Sequence, residues 1–245
     1  MPDSAEPRGS RPLFEVLHDF DSDIGVVMLR RRWSPSLERE LFEMTVDGMV
    51  MMTSGVVSSE RELASELLKR LEHSEPNRNG LSVLVGGLGF GFTAMRFLES
   101  ERVARVTVIE RLPEVITWHR DGLLPWSNTF IDDPRLEVRQ GDFFGLVAAA
   151  PQQRFDAIAI DIDDTPDRCW HRTHSSFYER EHLEALAGHL EPGGALGIWF
   201  ATDPGERFVA AAAGVFSDCL SRCCEVENPC LRQIDMNHLV LATAR

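Results

Sequence analysis

The sequence predicts an α/β protein, with a doubly wound, mostly parallel sheet behind a small N-terminal antiparallel β element. Two observations predict this fold class. From residue 79 onward, apolar strand-like runs alternate with helical patterns, which is typical of a parallel sheet with helices on both faces. Before a polar break, SEPNRNG at residues 74–80, the chain instead carries two β-rich runs, IGVVMLRRRW and LFEMTVDGMVMMTS.

The expected domain boundaries follow this change of pattern. We expect a flexible tail at residues 1–12, a β-hairpin element with one helix at 13–78, and the α/β domain at 79–245. The dipeptide Asp47-Gly48 is a tight-turn signal, and it predicts a small antiparallel hairpin system. Ser59 and Glu62 have the spacing of a capping box, which predicts the start of the helix before the break.

The predicted strands of the α/β domain alternate with helices in chain order. The strand-like runs are LSVLVGG, RVTVIE, LEVRQGD, FDAIAID, GGALGIWF and MNHLVLATAR. The predicted helices include PEVITWHR, whose proline suits a first helical turn, YEREHLEALAGHL, and FVAAAAGVFSDCL, which contains Cys219. Ligands of such sheets bind at the carboxyl ends of the strands. The residues that follow each run are therefore the candidates for a site.

Composition argues against several classes of protein. The formal net charge of −14 repels phosphate backbones, and the only basic cluster, Arg30-Arg31-Arg32, lies in a predicted strand, so we expect no nucleic-acid partner. No run approaches the roughly 18 consecutive apolar residues of a membrane span, so we expect no membrane partner. The N-terminus lacks the apolar core of a signal peptide. We therefore expect a cytoplasmic protein.

In that compartment the five cysteines are expected to be reduced. Four of them lie late in the chain, at Cys219, Cys223, Cys224 and Cys230, and their spacing contains no CxxC pair. This spacing favours buried thiols over a zinc site. No metal is predicted.

A glycine-rich segment, Gly86-Gly87-Leu88-Gly89-Phe90-Gly91, follows the first strand of the α/β domain and precedes a helix. Glycines there let the backbone approach a ligand and leave the helix N-terminus open. Glu110 ends the next strand, about twenty residues on, where a carboxylate that binds ribose hydroxyls is expected. Asp142 ends the third strand and is placed to accept a hydrogen bond from an adenine amino group. The pattern predicts an adenosine site, with NAD as an alternative because it shares the fingerprint.

Four carboxylates follow the fourth strand in the segment IDIDDTPD, residues 160–167. Three interpretations compete: a metal site, a catalytic or amine-binding site, and a solvated turn. Magnesium would normally bring a phosphate group, which nothing else in the sequence indicates. We expect Asp161 and Asp164 to position a cationic donor or acceptor, because a carboxylate also takes the proton of an attacking amine. A solvated turn suits Asp163 and Asp167.

The motifs GGLGFG, VIE, QGD, FDAIAIDIDDTP and LEPGG occur in the order seen in class I S-adenosylmethionine-dependent enzymes. With TVDGMVMMTS and DDPRLEVRQGD, the chain more narrowly resembles the spermidine synthase-like group, over roughly residues 40–200. The resemblance implies a methyltransferase-like Rossmann fold and S-adenosylmethionine, or its decarboxylated form, as cofactor. It further implies a small-molecule acceptor, an amine among the candidates, and a homodimer.

The resemblance also implies roles for single residues. Glu110 holds the ribose and Asp142 the adenine, Asp161 lies near the sulfonium side chain, and Asp164 faces the acceptor amine. The residues implied to bind the cofactor are Gly86, Gly87, Gly89, Phe90, Gly91, Glu110, Asp142, Phe143 and Asp161. Phe90 stands where spermidine synthases carry an aspartate for the aminopropyl ammonium. MMTSGVVSSERELA stands where they carry a glutamine and a Tyr-His pair.

These departures favour methyl transfer from intact S-adenosylmethionine to a small molecule. Aminopropyl transfer from the decarboxylated donor to an amine is the alternative, and a catalytically silent nucleoside-binding or interaction module is an alternative of another class. Trp118, His119 and Trp126 are weaker candidates for the walls of the pocket, with packing as the competing interpretation. His171 and His174 are candidates for a gate, with a solvated loop as the competing interpretation.

Overall fold

The structure, a computed structural model, describes residues 14–162, 165–166 and 175–245. The chain divides into two compact units. The first comprises Met1–Gly55 and Pro229–Arg232, and the second comprises Val56–Asn228 and Gln233–Arg245.

The first unit contains a four-stranded antiparallel sheet in the order β1-β2-β3-β4. Its strands are β1 (Glu15–Ser22), β2 (Gly25–Ser34), β3 (Arg39–Val46) and β4 (Met49–Thr53). Asp47 and Gly48 both take a positive φ, at 48° and 80°, and turn the chain from β3 to β4. The hairpin prediction is therefore confirmed.

The three arginines of the basic cluster are tied to acids of the same sheet. Arg30 and Arg32 both bind the buried carboxylate of Glu43, at 2.7 and 2.6 Å. Arg31 binds Glu15 on the neighbouring strand. Because neighbouring carboxylates neutralise these charges, the cluster does not form an open cationic patch.

The second unit contains a seven-stranded sheet in the order β10-β11-β9-β8-β5-β6-β7. Its strands are β5 (Leu81–Gly86), β6 (Val103–Glu110), β7 (Leu136–Gln140), β8 (Phe155–Ile160), β9 (Leu190–Phe200), β10 (Ser217–Asn228) and β11 (Gln233–Thr243). Strands β5 to β9 are parallel, whereas β11 and β10 are antiparallel to their neighbours. The predicted fold class is confirmed.

Helices lie between most of these strands. They are α1 (Ser58–Ser74), α2 (Phe92–Leu98), α3 (Pro113–Arg120), α4 (Phe143–Ala148), α5 (Arg180–Ala187) and α6 (Glu206–Val215), with 3-10 turns at Ser127–Thr129 and Ser175–Tyr178. Strand β8, at the centre of the sheet, is buried along its whole length, and Ala157, Ile158 and Ala159 have no exposed surface. No helix in the described part of the chain is both long and apolar enough to span a membrane.

Helix α1 differs from its prediction in two ways. It belongs to the second unit, because Leu63 and Leu67 pack so closely on β9 that a Cβ at Gly197 would lie 2.7 Å from Leu63 Cδ1. Its start has no capping box either. The helix begins at Ser58, and the Ser59 hydroxyl donates to the carboxylate of Glu60 at 2.8 Å instead of capping a backbone N–H.

The predicted helix FVAAAAGVFSDCL is too long. Helix α6 ends at Val215, and Cys219 lies in β10, which pairs with β11 to form a hairpin. The alanine-rich half favours a helix, but cross-strand pairing such as Leu220 with Leu241 decides the rest. Cys223 is exposed on β10, so the prediction of buried thiols is wrong for that residue. The expected homodimer and cytoplasmic location stay predictions.

Candidate functional site

The glycine-rich loop connects β5 to α2 in an unusual backbone conformation. Gly87, Gly89 and Gly91 all have positive φ values, at 90°, 47° and 84°. A Cβ at Gly87 would overlap the carbonyl oxygen of Asp161. The N–H of Asp161 donates to the Gly86 carbonyl at 3.0 Å. The loop and the carboxyl end of β8 are therefore in backbone contact, which only glycine permits.

Glu110, at the end of β6, turns its carboxylate toward this loop. Its Oε2 accepts hydrogen bonds from the backbone N–H of Leu88, at 2.8 Å, and of Gly89, at 3.4 Å. Its Oε1 accepts one from Leu112 N–H at 2.8 Å. Burial raises the pKa of Glu110, while these N–H groups oppose the rise because they stabilise the charged form. The carboxylate is thus held in a fixed orientation beside the loop.

Asp142 follows β7 and caps α4, because its Oδ1 accepts a hydrogen bond from Phe144 N–H at 3.0 Å. The residue is exposed, so lone pairs of the carboxylate remain available to a ligand. Phe143 is buried, and its ring lies where a Cβ at Gly86 would come within 2.8 Å. Phe143 therefore packs beneath the start of the glycine loop.

Asp161 lies directly after β8, and its side chain points to α2. Its Oδ2 accepts a hydrogen bond from the hydroxyl of Thr93, in the first turn of α2, at 3.1 Å. Desolvation raises the pKa of Asp161 to about 6, and the Thr93 hydroxyl opposes the rise. A carboxyl group with this pKa changes its charge near neutral pH.

Glu60, in the first turn of α1, is a site residue that the sequence interpretation missed. Thr93 Oγ1 lies 3.4 Å from the Glu60 carbonyl oxygen as well as 3.1 Å from Asp161. Desolvation, followed by the negative charge of Asp161, raises the pKa of Glu60 to about 7. The only signal in the sequence is an acid at a helix start, and nothing local indicates its partner about a hundred residues away.

Two of the candidates for the walls of the pocket, His119 and Trp126, contact carbonyl groups of the glycine loop. Phe90 is buried, and its carbonyl oxygen accepts a hydrogen bond from the indole N–H of Trp126 at 2.8 Å. His119 is fully buried and lies 2.8 Å from the carbonyl oxygen of Gly89. Trp118 is fully buried in the core, as the packing interpretation predicts. Tyr178 is also buried, against Phe200.

The structure therefore brings the glycine loop, Glu110, Asp161 and Glu60 to one end of the parallel sheet. Asp164, His171 and His174 lie outside the described residues, as do Asp163 and Asp167. Within the described residues, no three histidine, cysteine, aspartate or glutamate side chains form a group that could hold a metal ion. The arrangement can bind a nucleoside through the loop and Glu110, and a cation through Asp161 and Glu60.

The protein is of the doubly wound α/β class, in which ligands bind at the carboxyl ends of the parallel strands, where Glu110 and Asp161 lie. Residues 63–198 of this chain match the model of the spermine/spermidine synthase domain. This match covers more than half of the chain, and the chain belongs to that family. Glu60 lies three residues before the matched segment.

Relatives with different reactions resemble the chain to a similar degree. It is 28% identical over 174 residues to polyamine aminopropyltransferase 2 of Pseudomonas aeruginosa. The aligned region covers 69% of this chain and 47% of that protein. It is 26% identical over 185 residues to putrescine N-methyltransferase 2 of Nicotiana tabacum, and the aligned region covers 72% of this chain and 50% of that protein. The chain spans about half the length of the curated relatives that it matches.

The fold of this chain also resembles the folds of solved spermidine synthases. A spermidine synthase solved in complex with the transition state analogue AdoDATO superposes with a TM-score of 0.72 at 22% identity, over 94% of this chain and 74% of that one. Spermidine synthase from Thermotoga maritima superposes with a TM-score of 0.68 at 21% identity, over 94% of this chain and 72% of that one. At this level of identity the superpositions support the fold alone.

Proposed function

We propose that this protein is a transferase that moves a carbon group from an S-adenosyl sulfonium donor to a small amine. The observation that carries the proposal is the position of Asp161. Asp161 follows β8 with its backbone oxygen against Gly87, its carboxylate accepts a hydrogen bond from Thr93, and its negative charge raises the pKa of a second carboxyl group, Glu60. A nucleoside loop with two carboxylates beside it suits a ligand that carries both an adenosine and a positive charge.

The residues of the site fit such a donor. Gly87 lets the loop lie directly against the carboxyl end of β8, because a Cβ there would overlap the backbone oxygen of Asp161. Backbone N–H groups fix the Glu110 carboxylate beside the loop, where the proposal puts the ribose, and the Gly89 contact, at 3.4 Å, is long enough to yield to a hydroxyl. In the proposal the exposed Asp142 carboxylate accepts a hydrogen bond from an adenine amino group. When bound, the donor supplies a carbon atom that its sulfonium makes electrophilic.

Transfer needs little covalent help from the chain. The amine nitrogen attacks the carbon next to sulfur in line, the carbon–sulfur bond breaks, and a neutral thioether leaves with the bonding electrons. The chain holds the two molecules in line, which supplies most of the rate. The amine must also lose a proton, and a carboxylate with a pKa of about 6 or 7 can accept it near neutral pH. Asp161 and Glu60 are the described groups with that property, and Asp164 stays a predicted contact of the acceptor.

Glu60 favours the decarboxylated donor, and hence aminopropyl transfer. No cationic side chain in the described part of the chain contributes to the pKa of Glu60 or of Asp161. Two neighbouring carboxylates attract the terminal ammonium of a decarboxylated donor and repel the α-carboxylate of an intact one. Glu60 thus supplies a second acid to a site whose glycine loop lacks one at Phe90.

Methyl transfer from intact S-adenosylmethionine is the second candidate. It is favoured by Phe90, whose buried side chain leaves the loop without an acid of its own. The putrescine N-methyltransferase relatives are as similar to this chain as the aminopropyltransferase, within two percentage points of identity. A silent binding module, the third possibility, differs from both because it binds a donor without turnover.

Calorimetric titration with S-adenosylmethionine, its decarboxylated form and 5′-methylthioadenosine tests the proposal. We expect all three to bind and the decarboxylated donor to bind most tightly. Glu60→Gln should remove most of that preference without changing the affinity for 5′-methylthioadenosine, which has no ammonium group. Glu101→Gln, at an exposed glutamate, is the control. Tighter binding of the intact donor would point to methyl transfer, and binding of none of the three would refute the proposal.

A turnover assay then separates an enzyme from a binding module. The protein is incubated with each donor and a panel of diamines, and products are detected by mass spectrometry. An added aminopropyl or methyl group on the amine identifies the reaction. Donor binding with no product from any amine would support the silent module.

A further inference from the structure

We propose that His119 and Trp126 are positioning residues that hold the glycine loop in the conformation that binds the nucleoside of the donor. The inference rests on the proposed function, because it concerns the same site. Neither side chain is placed to touch the reacting atoms. Both act through hydrogen bonds to carbonyl groups of the loop.

His119 reaches the loop from α3. Its Nε2 lies 2.8 Å from the carbonyl oxygen of Gly89, and its Nδ1 lies 2.8 Å from the hydroxyl oxygen of Ser127. A carbonyl oxygen only accepts, so Nε2 carries the hydrogen and Nδ1 of the neutral ring accepts from Ser127. Burial lowers the pKa of His119 to about 4, which keeps the ring neutral in this tautomer at neutral pH.

Trp126 holds the next peptide group of the loop. Its indole N–H donates to the carbonyl oxygen of Phe90 at 2.8 Å. The indole ring also stacks on Phe92, with centroids 5.2 Å apart, and meets the edge of Phe90 at 5.6 Å. Packing against Phe90 and Phe92 therefore fixes the indole ring that binds this carbonyl.

These contacts complete the restraint that Glu110 begins. The N–H groups of Leu88 and Gly89 bind Glu110, and the carbonyl groups of Gly89 and Phe90 bind the two rings. Glu110 therefore holds N–H groups of the loop, and the two rings hold its carbonyl groups. A segment with three glycines at positive φ would otherwise reach many conformations, and a ligand would bear the entropic cost of ordering it.

A packing role alone does not explain His119. An apolar side chain of similar size would fill a fully buried position without the desolvation penalty of an imidazole. The imidazole is satisfied on both nitrogens, and one of its two partners belongs to the loop. The hydrogen bonds to Gly89 and Ser127 therefore distinguish histidine from leucine here, and the one to Gly89 acts on the loop.

The test measures the affinity for 5′-methylthioadenosine, which has the nucleoside but no ammonium, in His119→Leu, His119→Gln and Trp126→Phe. His119→Leu and Trp126→Phe each lose one hydrogen bond to a carbonyl of the loop, and His119→Leu also loses the one to Ser127, which predicts at least roughly tenfold weaker binding. Glutamine places an N–H near the position of Nε2, so His119→Gln should recover most of the affinity. His189→Leu is the matched control, since His189 is also buried and lies 3.0 Å from a carbonyl oxygen, that of Ala149 outside the loop.

Amide hydrogen exchange of the loop peptide provides a second readout that needs no ligand. Exchange at Leu88 and Gly89 should quicken in His119→Leu and Trp126→Phe, but not in His189→Leu. If the first two variants melt earlier but keep wild-type affinity and loop exchange, the proposal is overturned. If His119→Leu does not fold, Trp126→Phe decides the question, because its ring preserves the packing. A wild-type protein that binds no S-adenosyl ligand contradicts the proposed function, while the exchange data still decide this inference.

Discussion

The hydroxyl of Thr93 donates a hydrogen bond to the carboxylate of Asp161 at 3.1 Å and so joins the start of α2 to the end of β8. The same oxygen lies 3.4 Å from the Glu60 carbonyl of α1. One small side chain therefore links α2, which follows the glycine loop, to the end of β8, which carries Asp161, and to the start of α1, which carries Glu60.

Thr93→Val should raise the pKa of Asp161 further, because the lost hydrogen bond favours the charged form. We expect the acidic midpoint of the pH profile for donor binding to move upward, with weaker binding at pH 6 than at pH 8. Calorimetry across that range measures the shift. Thr117→Val, which removes a hydroxyl that binds only the Pro113 carbonyl, is the control and should leave the midpoint in place. An unchanged midpoint in Thr93→Val would show that the hydroxyl does not tune Asp161.

Gly87→Ala should abolish donor binding. Position 87 has a φ of 90°, and an added Cβ would overlap the backbone oxygen of Asp161, which has no flexible side chain to move aside. Gly193→Ala is the control, because Gly193 has a φ of 78° and open space around its Cβ position. Both variants should lose stability through backbone strain, but only Gly87→Ala should fail in a donor titration. Wild-type affinity in Gly87→Ala would place the ligand elsewhere.

Glu110→Gln should weaken the binding of every adenosine-containing ligand, by about tenfold or more, since a charged acceptor is replaced by an amide. The amide N–H₂ also faces a backbone N–H of Leu88 or of Leu112, which disturbs the loop. Binding of 5′-methylthioadenosine measures this loss without the ammonium. Glu101→Gln should bind like the wild type. Equal affinity in Glu110→Gln would remove Glu110 from the nucleoside site.

The carboxyl pair predicts a pH dependence of stability. The pKa of Glu60 rises from 4.5 to about 7 and that of Asp161 from 3.8 to about 6, so the folded chain binds more protons than the unfolded chain between about pH 4 and pH 7. Their contribution to stability is therefore full below pH 4 and is lost as the pH rises through 7. Glu60→Gln should flatten this decline, as followed by urea unfolding at successive pH values. A slope equal to that of the wild type would contradict the coupling.

His119 affects the pH dependence of stability in the opposite direction, over part of the same pH range. Its pKa falls from 6.5 to about 4, so the unfolded chain binds a proton that the folded chain does not. This contribution is present above about pH 6.5 and is lost as the pH falls toward 4. The melting temperature of His119→Gln should therefore fall less than that of the wild type between pH 7 and pH 5. A parallel fall in both proteins would contradict burial of a neutral imidazole.

Much of the α/β unit was predictable from the sequence because its signals are local. The apolar run FDAIAI gives a fully buried strand, and the loop glycines do take positive φ values. Elements whose state depends on distant partners were not predictable. The residues SDCL continue a helical pattern, yet they join β10, where Ser217 and Leu220 pair with Thr243 and Leu241 of β11. The chain segment of α1 likewise carries no sign that its leucines cover β9.

The sequence by itself determined the alternation of strands and helices from β5 to β9, the glycine loop, and the positions of Glu110, Asp142 and Asp161 at strand ends. Periodicity and glycine stereochemistry act within a few residues, so they can be seen in one dimension. Only the tertiary structure decided that Glu60 is coupled to Asp161 and that His119 and Trp126 bind the loop. Burial and pairing between distant segments set those pKa values and hydrogen bonds, and they exist only once the sheet and its helices have assembled.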